Sequence, residues 1–324
     1  MLKNSIRLFK YNLEKLNGKI CFWSEESNVE EYIMKIKPTE EVLKAWMESY
    51  VPEKDLFFFA KEQLQHKIDL SDVLVMPIDE FYNHSTYGQL QYVNSYEYWN
   101  VKKADYVIIA EKEWIERIPI EEKQFLLNIQ AGCERGLVVP ASFIYDLNKI
   151  PSSYVMDEYV VLQRSMWEAM DDCCKEQLLT TMVYEWWDQG ECEKAPEFLP
   201  SFLKPFANTF GTVQGANCLA AVLFAISRGK QRWFINEWIH QKTFLEKLKQ
   251  YHYEKHLSDE LEQGDIVVWQ DKSLTIQHAA YYIGDGLYFN KHGQTMFNPW
   301  KILSEEQLYK EWRHLDVVKY RKKS

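Results

Sequence analysis

Apolar residues recur with a helical period over PTEEVLKAWMESYV (38–51), behind a Pro-Thr-Glu-Glu opening, and predict a helix there. ADYVIIAE (104–111) is a short apolar run and predicts a buried strand. PIEEKQFLLNIQAG (119–132) predicts a helix closed by Gly132, and GLVVPASFI (136–144) a strand with Pro140 at an edge or bend. Residues 1–150 thus predict a small α/β domain whose topology the pattern leaves open. Residues 156–189 are rich in helix formers and aromatics, and one or two amphipathic helices ending at Gly190 are expected. Then Pro196, Pro200 and Pro205 fall within ten residues, which breaks regular structure. The expected division is an N-terminal α/β domain over 1–190, a Pro-rich linker over 191–206 and a C-terminal domain over 207–324.

The pattern beyond the prolines has a different order. A Gly/Asn/Gln-rich approach, FANTFGTVQGAN, runs into CLAAVLFAISRG, which predicts a buried helix ended by Gly229. WFINEWIHQKTFLEKLKQYHYEKH predicts a second helix. Three strand signals follow, GDIVVWQ (264–270), IQHAAYYI (276–283) and LYFNKH (287–292), with HLDVVKYR (314–321) as a candidate fourth. A helix followed by antiparallel strands is an α+β arrangement.

Composition and charge narrow the function classes. The chain has 324 residues, 46% hydrophobic and 15% aromatic, enough for a sizeable core without staples. Lys and Arg number 38 against 48 for Asp and Glu, a net charge of −10, so nucleic acid and anionic membrane are poor partners. MLKNSIRLFKYNLEKLNGKI has no unbroken apolar stretch and no small-residue cleavage site, and is not expected to act as a signal peptide. Six cysteines without a CxxC (Cys21, Cys133, Cys173, Cys174, Cys192 and Cys218) predict free thiols in a reducing cytoplasm.

One constellation carries chemistry. Cys218 follows Asn217, a good N-cap residue, and opens the apolar helix. A thiol in a first turn feels the positive end of the helix dipole, which favours thiolate, and unpaired N–H groups there suit an oxyanion. A plain buried cysteine has the same surroundings. His278 opens a strand whose neighbours Ala279 and Ala280 are small. The strand runs into Gly284-Asp285-Gly286, a turn signal, and returns through Asn290 and His292. If all three turn residues form the loop, Ile283 pairs with Leu287 and Ala280 with Asn290, while His278 faces His292, and these polar residues share one sheet face. A two-residue loop reverses that.

A thiol, an imidazole base and a polar residue orienting the imidazole form the logic of cysteine hydrolases. In this order the sequence resembles the NlpC-type peptidases of the papain-like superfamily, over roughly residues 207–300. The matching parts are Cys218 at a helix start, Gln263-Gly264-Asp265 before a strand, His278-Ala-Ala-Tyr-Tyr-Ile-Gly284-Asp-Gly286, and Asn290 twelve positions after His278. The resemblance implies a papain-like fold for the C-terminal domain and a thiol-dependent amidase or peptidase needing no cofactor or metal. Its substrate would be a small peptide or isopeptide, for example one derived from peptidoglycan. Cys218 would be the nucleophile, His278 the base and Asn290 the orienting residue, with His292 as the alternative third member. Gln214, four before the cysteine, is a candidate oxyanion donor or an ordinary loop glutamine.

The chain departs from the family around the nucleophile. Asn217-Cys218-Leu219-Ala220 replaces Asp-Cys-Ser-Gly, which puts recognition of a substrate's free amine in doubt. An acyltransferase or transglutaminase-like enzyme with the same triad, and a non-catalytic binding or toxin-type module, are the alternatives. His252 and His256, four apart, suit a metal only if they share a helix and find a third ligand. Cys173-Cys174 and Trp186-Trp187 fit core and interdomain packing.

Overall fold

Thr39 is extended and its side-chain oxygen accepts from Val42 N at 3.3 Å, so the first helix starts where the capping signal places it, over Glu40–Ser49 (α1). The computed structural model describes residues 34–323 except 66–67, 88–96, 99–100, 102–103 and 134–135. The N-terminal segment weighed above as a signal peptide, with Cys21, lies outside the described residues. The chain divides into two compact units, one of Pro38–Val183 with Thr212–Gly215, the other of Met1–Lys37, Tyr184–Gly211 and Ala216–Ser324.

In the first unit, Lys54–Phe59 (β1), Leu74–Pro77 (β2) and Tyr106–Glu111 (β3) form an antiparallel sheet in the order β1-β3-β2. Ile120–Ala131 (α2) follows, and its buried Gln130 bonds both the N–H and the carbonyl of Phe58 (2.7 and 2.8 Å). Only Val138–Pro140 (β4) of the predicted 136–144 strand forms. It joins Val155–Met156 (β5) and Tyr159–Val161 (β6) in a second antiparallel sheet, order β4-β6-β5. The start of the expected 156–189 helical region is therefore strand, because Val160 and Val161 are β-branched and bury in the sheet. Asp172–Met182 (α3) supplies the helix that the rest of that region predicts. Cys174 is buried and Cys173 exposed, as adjacent positions of a helix require.

The second unit is built on Cys218–Ile226 (α4), Gln241–Gln250 (α5), Tyr253–His256 (β7), Ile266–Gln270 (β8), Ile276–Gly284 (β9), Leu287–Lys291 (β10), Trp300–Ser304 (β11), Glu305–Trp312 (α6) and Asp316–Lys322 (β12). The six strands make one antiparallel sheet, order β11-β10-β9-β8-β12-β7. An α+β architecture follows, as the pattern implies. The Pro-rich segment is not a free linker. Leu199 and Leu203 bury in this unit's core, which holds residues 184–211 to the sheet and helix. The second helix is shorter than its apolar period suggests, since His252 takes a positive φ of 62° and the chain leaves it as β7. His252 and His256 therefore do not share a helix face, and among the described residues no group of three or more His, Cys, Asp or Glu is placed to hold a metal.

The sheet has two covered faces. Ile266, Val268, Ala279, Tyr281, Ile283, Phe289 and Ile302 pack in a core with α4. Val267, Trp269, Ala280, Tyr288 and Leu303 pack on the other side with Leu308 and Trp312 of α6. Because successive strand residues alternate between the faces, the central strands β8 and β9 are buried on both sides, whereas β7 and β12 keep polar, exposed positions.

The turn after β11's neighbour β10 is held by its own side chains. Asn298 Oδ1 accepts from Thr295 N (3.1 Å) and Thr295 Oγ1 (2.8 Å). Gly293 has φ +129°, and a Cβ there would meet the Asn298 side chain at 2.3–2.6 Å. Gly293→Ala is expected to lower stability by about 1–3 kcal/mol, read from denaturant midpoints at unchanged slope.

Candidate functional site

Asn217 is extended (φ −131°) and its Oδ1 accepts from Ala220 N at 3.0 Å, so the helix begins at Cys218 itself. Its Nδ2 donates to Ile239 O at 2.8 Å, which fixes the cap to the segment before α5. Cys218 is half-buried against the α4 core. Burial pushes its thiol up to about 11, although the N–H groups of Ala279, Leu219 and Cys218 and the charge of Lys291 oppose the shift. Backbone N–H groups at the helix start favour the thiolate. Desolvation outweighs them, so the resting group is a thiol and not the expected thiolate.

The hairpin differs from its sequence expectation in a way that preserves its consequence. Gly284 pairs with Leu287, so the loop is the two residues Asp285 and Gly286, both at positive φ (50° and 72°). An irregularity between Tyr282 and Gly284 then shifts the register by one, and Tyr282 pairs with Tyr288 and Tyr281 with Phe289. That is the pairing a three-residue loop would give. His278, Asn290 and His292 accordingly fall at positions of one parity.

That parity belongs to the α6 side. His278 stacks on Trp312 with ring centroids 4.9 Å apart and meets Trp269 at 5.6 Å, both in the core under α6. Its neighbour Ala279, which is the residue that touches Cys218, faces α4. The structure therefore does not bring His278 and Cys218 together: the two side chains sit on opposite faces of the sheet. Burial holds the His278 imidazole down at about 3, and its Nε2 has no hydrogen-bond partner among the described residues. Asn290 is fully buried; its Nδ2 reaches Lys301 O at 3.4 Å and its Oδ1 is unpartnered. It does not bond His278. Gln214 belongs to the unit of Pro38–Val183, through Thr212–Gly215, rather than to the unit that holds Cys218.

His292 is held by two carboxylates. Its Nδ1 lies 2.8 Å from Asp188 Oδ2 and its Nε2 2.7 Å from Glu311 Oε2, so it bridges two carboxylates as an imidazolium. Burial opposes that charge, but Glu311 and the bonds to both carboxylates raise its pKa to about 9. Lys301 Nζ meets Asp188 Oδ1 at 2.9 Å, and Asp188 and Glu311 are each held down at about 2 against burial. An unfolded histidine titrates near 6.5. Since the folded value is higher, the stability His292 contributes is complete below about pH 6.5 and is lost as pH rises through about 9. The difference in unfolding free energy between the native protein and His292→Gln is expected to shrink over that interval, measured by denaturation at matched pH values.

Sequence reasoning missed Lys291. It is 1% exposed, with its Nζ donating to Thr295 O at 2.7 Å and to Asn298 O, and lying 5.2 Å from the Trp300 ring centroid. Burial lowers its pKa to about 7 against the charges of Asp188 and Cys218. The available signal was LYFNKH itself, where Leu287, Phe289 and Lys291 share a parity and place a lysine on an apolar face. Asp188, Glu311 and Lys301 were missed because nothing local links three positions so far apart in the chain.

No family model, no curated protein and no solved structure matches this chain. Among the described residues no helix is long and apolar enough to cross a membrane.

Proposed function

We propose that the protein is a thiol-dependent amidase or peptidase acting on a small peptide or isopeptide, with Cys218 as nucleophile. The observation that carries this is the place of Cys218 as the first residue of a buried helix capped by Asn217, where the backbone N–H groups of Ala279, Leu219 and Cys218 favour its thiolate. Donors aimed at that point stabilise the thiolate as it forms, and N–H groups of a first turn suit the oxyanion of an attacked carbonyl. The NlpC-type resemblance supports the same residue through Cys218 and the Gly-Asp-Gly hairpin, and it suggests a peptidoglycan-derived peptide. The arrangement of His278 argues against the family's base. The test is hydrolysis of a panel of peptides and isopeptides, peptidoglycan fragments included, by the native protein and by Cys218→Ala. Undiminished hydrolysis by the variant would end the proposal.

A second reading, a non-catalytic module that keeps the hydrolase layout, is favoured by one observation: the raised thiol pKa with His278 on the other side of the sheet. Alkylation at pH 8, mapped by peptide mass, separates the two. A Cys218 that reacts more slowly than exposed Cys173 supports the module, and a faster one supports the enzyme.

A further inference from the structure

We infer that the unit of Pro38–Val183 holds a binding site for a small N–H cation, free ammonium or the head of a primary amine, in the cavity beside Asp55. Nothing in it involves Cys218, so it holds whether or not that thiol reacts. Asp55 lies on β1 and is 3% exposed. Its Oδ1 accepts from Arg164 N at 2.7 Å, and its Oδ2 is buried with no hydrogen-bond partner among the described residues. Asp55 lines a cavity together with Gln130, Gly136, Leu137, Val161 and Gln163, all within this one unit. The free space there is about 290 Å³ with its solvent side included, and the enclosed part has room for one water-sized group. Gly136, at φ +98°, adjoins open space, since a Cβ there would meet nothing within 4 Å.

The charge around Asp55 is uncompensated. Lys54, its neighbour in the chain, bonds Glu111. The Arg164 guanidinium bonds Glu168 at 2.8 Å and Val51 O at 2.9 Å, so Arg164 meets Asp55 through its backbone N–H. Burial raises the carboxyl to about 7; the charges of Glu116 and Glu113 add to the rise, and the backbone bond and charge of Arg164 oppose it. A buried carboxylate oxygen with neither a hydrogen bond nor an ion-pair partner is costly, and a cation that fits the space removes that cost. Water would fill the same volume and leave the charge standing.

The lining selects the kind of cation. Calcium and magnesium take on the order of six oxygen ligands. Leu137 and Val161 make part of the wall apolar, and among the described residues no three His, Cys, Asp or Glu are placed to hold a metal. An N–H cation needs fewer acceptors. Asp55 Oδ2 supplies a charged one, and Gln163, buried on the same lining, supplies an amide oxygen. Such a cation binds the ionised carboxylate, so binding pulls the Asp55 pKa down from about 7 and strengthens as pH rises through that value.

Thermal melts of the full chain at about pH 8, above the Asp55 value, test this in ammonium, methylammonium and tetramethylammonium chlorides at equal concentration. The last ion has no N–H and is too large for the space. Ammonium or methylammonium is expected to raise the native midpoint by at least about 2 °C over tetramethylammonium, and Asp55→Asn is expected to lose that difference. A response to ammonium alone identifies the free ion as the ligand, and one that includes methylammonium identifies the head of a primary amine. Equal native midpoints in all three salts, the result of a cavity that holds only water, overturn the inference, and so does a rise that Asp55→Asn keeps. If the variant does not fold, the carboxyl carbon resonances of labelled aspartates in the native protein decide. One aspartate that titrates near pH 7 in tetramethylammonium, and at least about half a unit lower in ammonium or methylammonium, supports the site. No aspartate titrating near pH 7, or one that titrates alike in all three salts, overturns it.

Discussion

Cys218→Ala is expected to lower turnover of a cleaved peptide by at least about a thousandfold, because the first bond to the substrate can no longer form. The substitution leaves the fold in place. Alanine is a strong helix former, the Asn217 cap bonds Ala220 rather than Cys218, and the side chain lost is small. Equal thermal melts of the two proteins would therefore accompany the lost activity. Cys218→Ser is expected to fall nearly as far, since a hydroxyl is a far weaker nucleophile without a strong base. His278→Leu separates this account from a papain-like one. With the imidazole on the α6 face, the variant should retain the Cys218 alkylation profile.

Asp188→Ala has the largest expected effect on stability, about 3–5 kcal/mol, the usual cost of removing one partner from a buried ion pair. Asp188 accepts from Lys301 at 2.9 Å, from His292 at 2.8 Å and from Gly190 N at 2.8 Å, and its side chain is 2% exposed. Removing it leaves the buried Lys301 and the partly buried His292 without that carboxylate and a glycine N–H without its acceptor. Glu311 still binds His292, so Lys301, whose side chain is 5% exposed, bears most of the loss. The loss is expected to be partly restored in Asp188→Ala with Lys301→Met, because a buried pair replaced by apolar groups costs less than a broken one. Denaturant midpoints for the single and double variants form the measurement. An Asp188→Ala protein as stable as the native one would contradict the assignment of this network to the core.

The strength of the sequence pattern varied with how local each feature is. Thr39 and Asn217 announce their helices because a cap acts within one turn, and both helices begin beside them. The Gly-Asp-Gly hairpin was legible for the same reason, down to which residues share parity, although the loop is two residues and an irregularity supplies the shift. What the pattern does not hold is sidedness. IQHAAYYI is buried on both faces, so it carries no alternation to say which face α4 covers. Ala279 and Ala280 are equally small, and either leaves room for a helix. His278 was assigned to the side of the nucleophile by resemblance, and the packing of Trp312 against it reverses that assignment. Lys291 is not legible in the pattern because lysine side chains are mostly solvated. Its burial depends on carbonyls of the turn that follows, Thr295 and Asn298, whose arrangement rests on Gly293 and is not visible in composition. The 184–211 segment, broken by prolines, lacks regular period, yet Leu199 and Leu203 tie it to the core of the second unit. Three prolines mark irregular chain, which is a different property from a linker.

The central claim is that Cys218 forms the covalent bond to substrate. Acid quenching during turnover of a cleaved peptide, followed by peptide mapping, tests it most directly. The account predicts the acyl mass on the peptide that contains Cys218, removed by hydroxylamine as a thioester is. The acyl mass on another residue, with the Cys218 peptide unmodified, would contradict it.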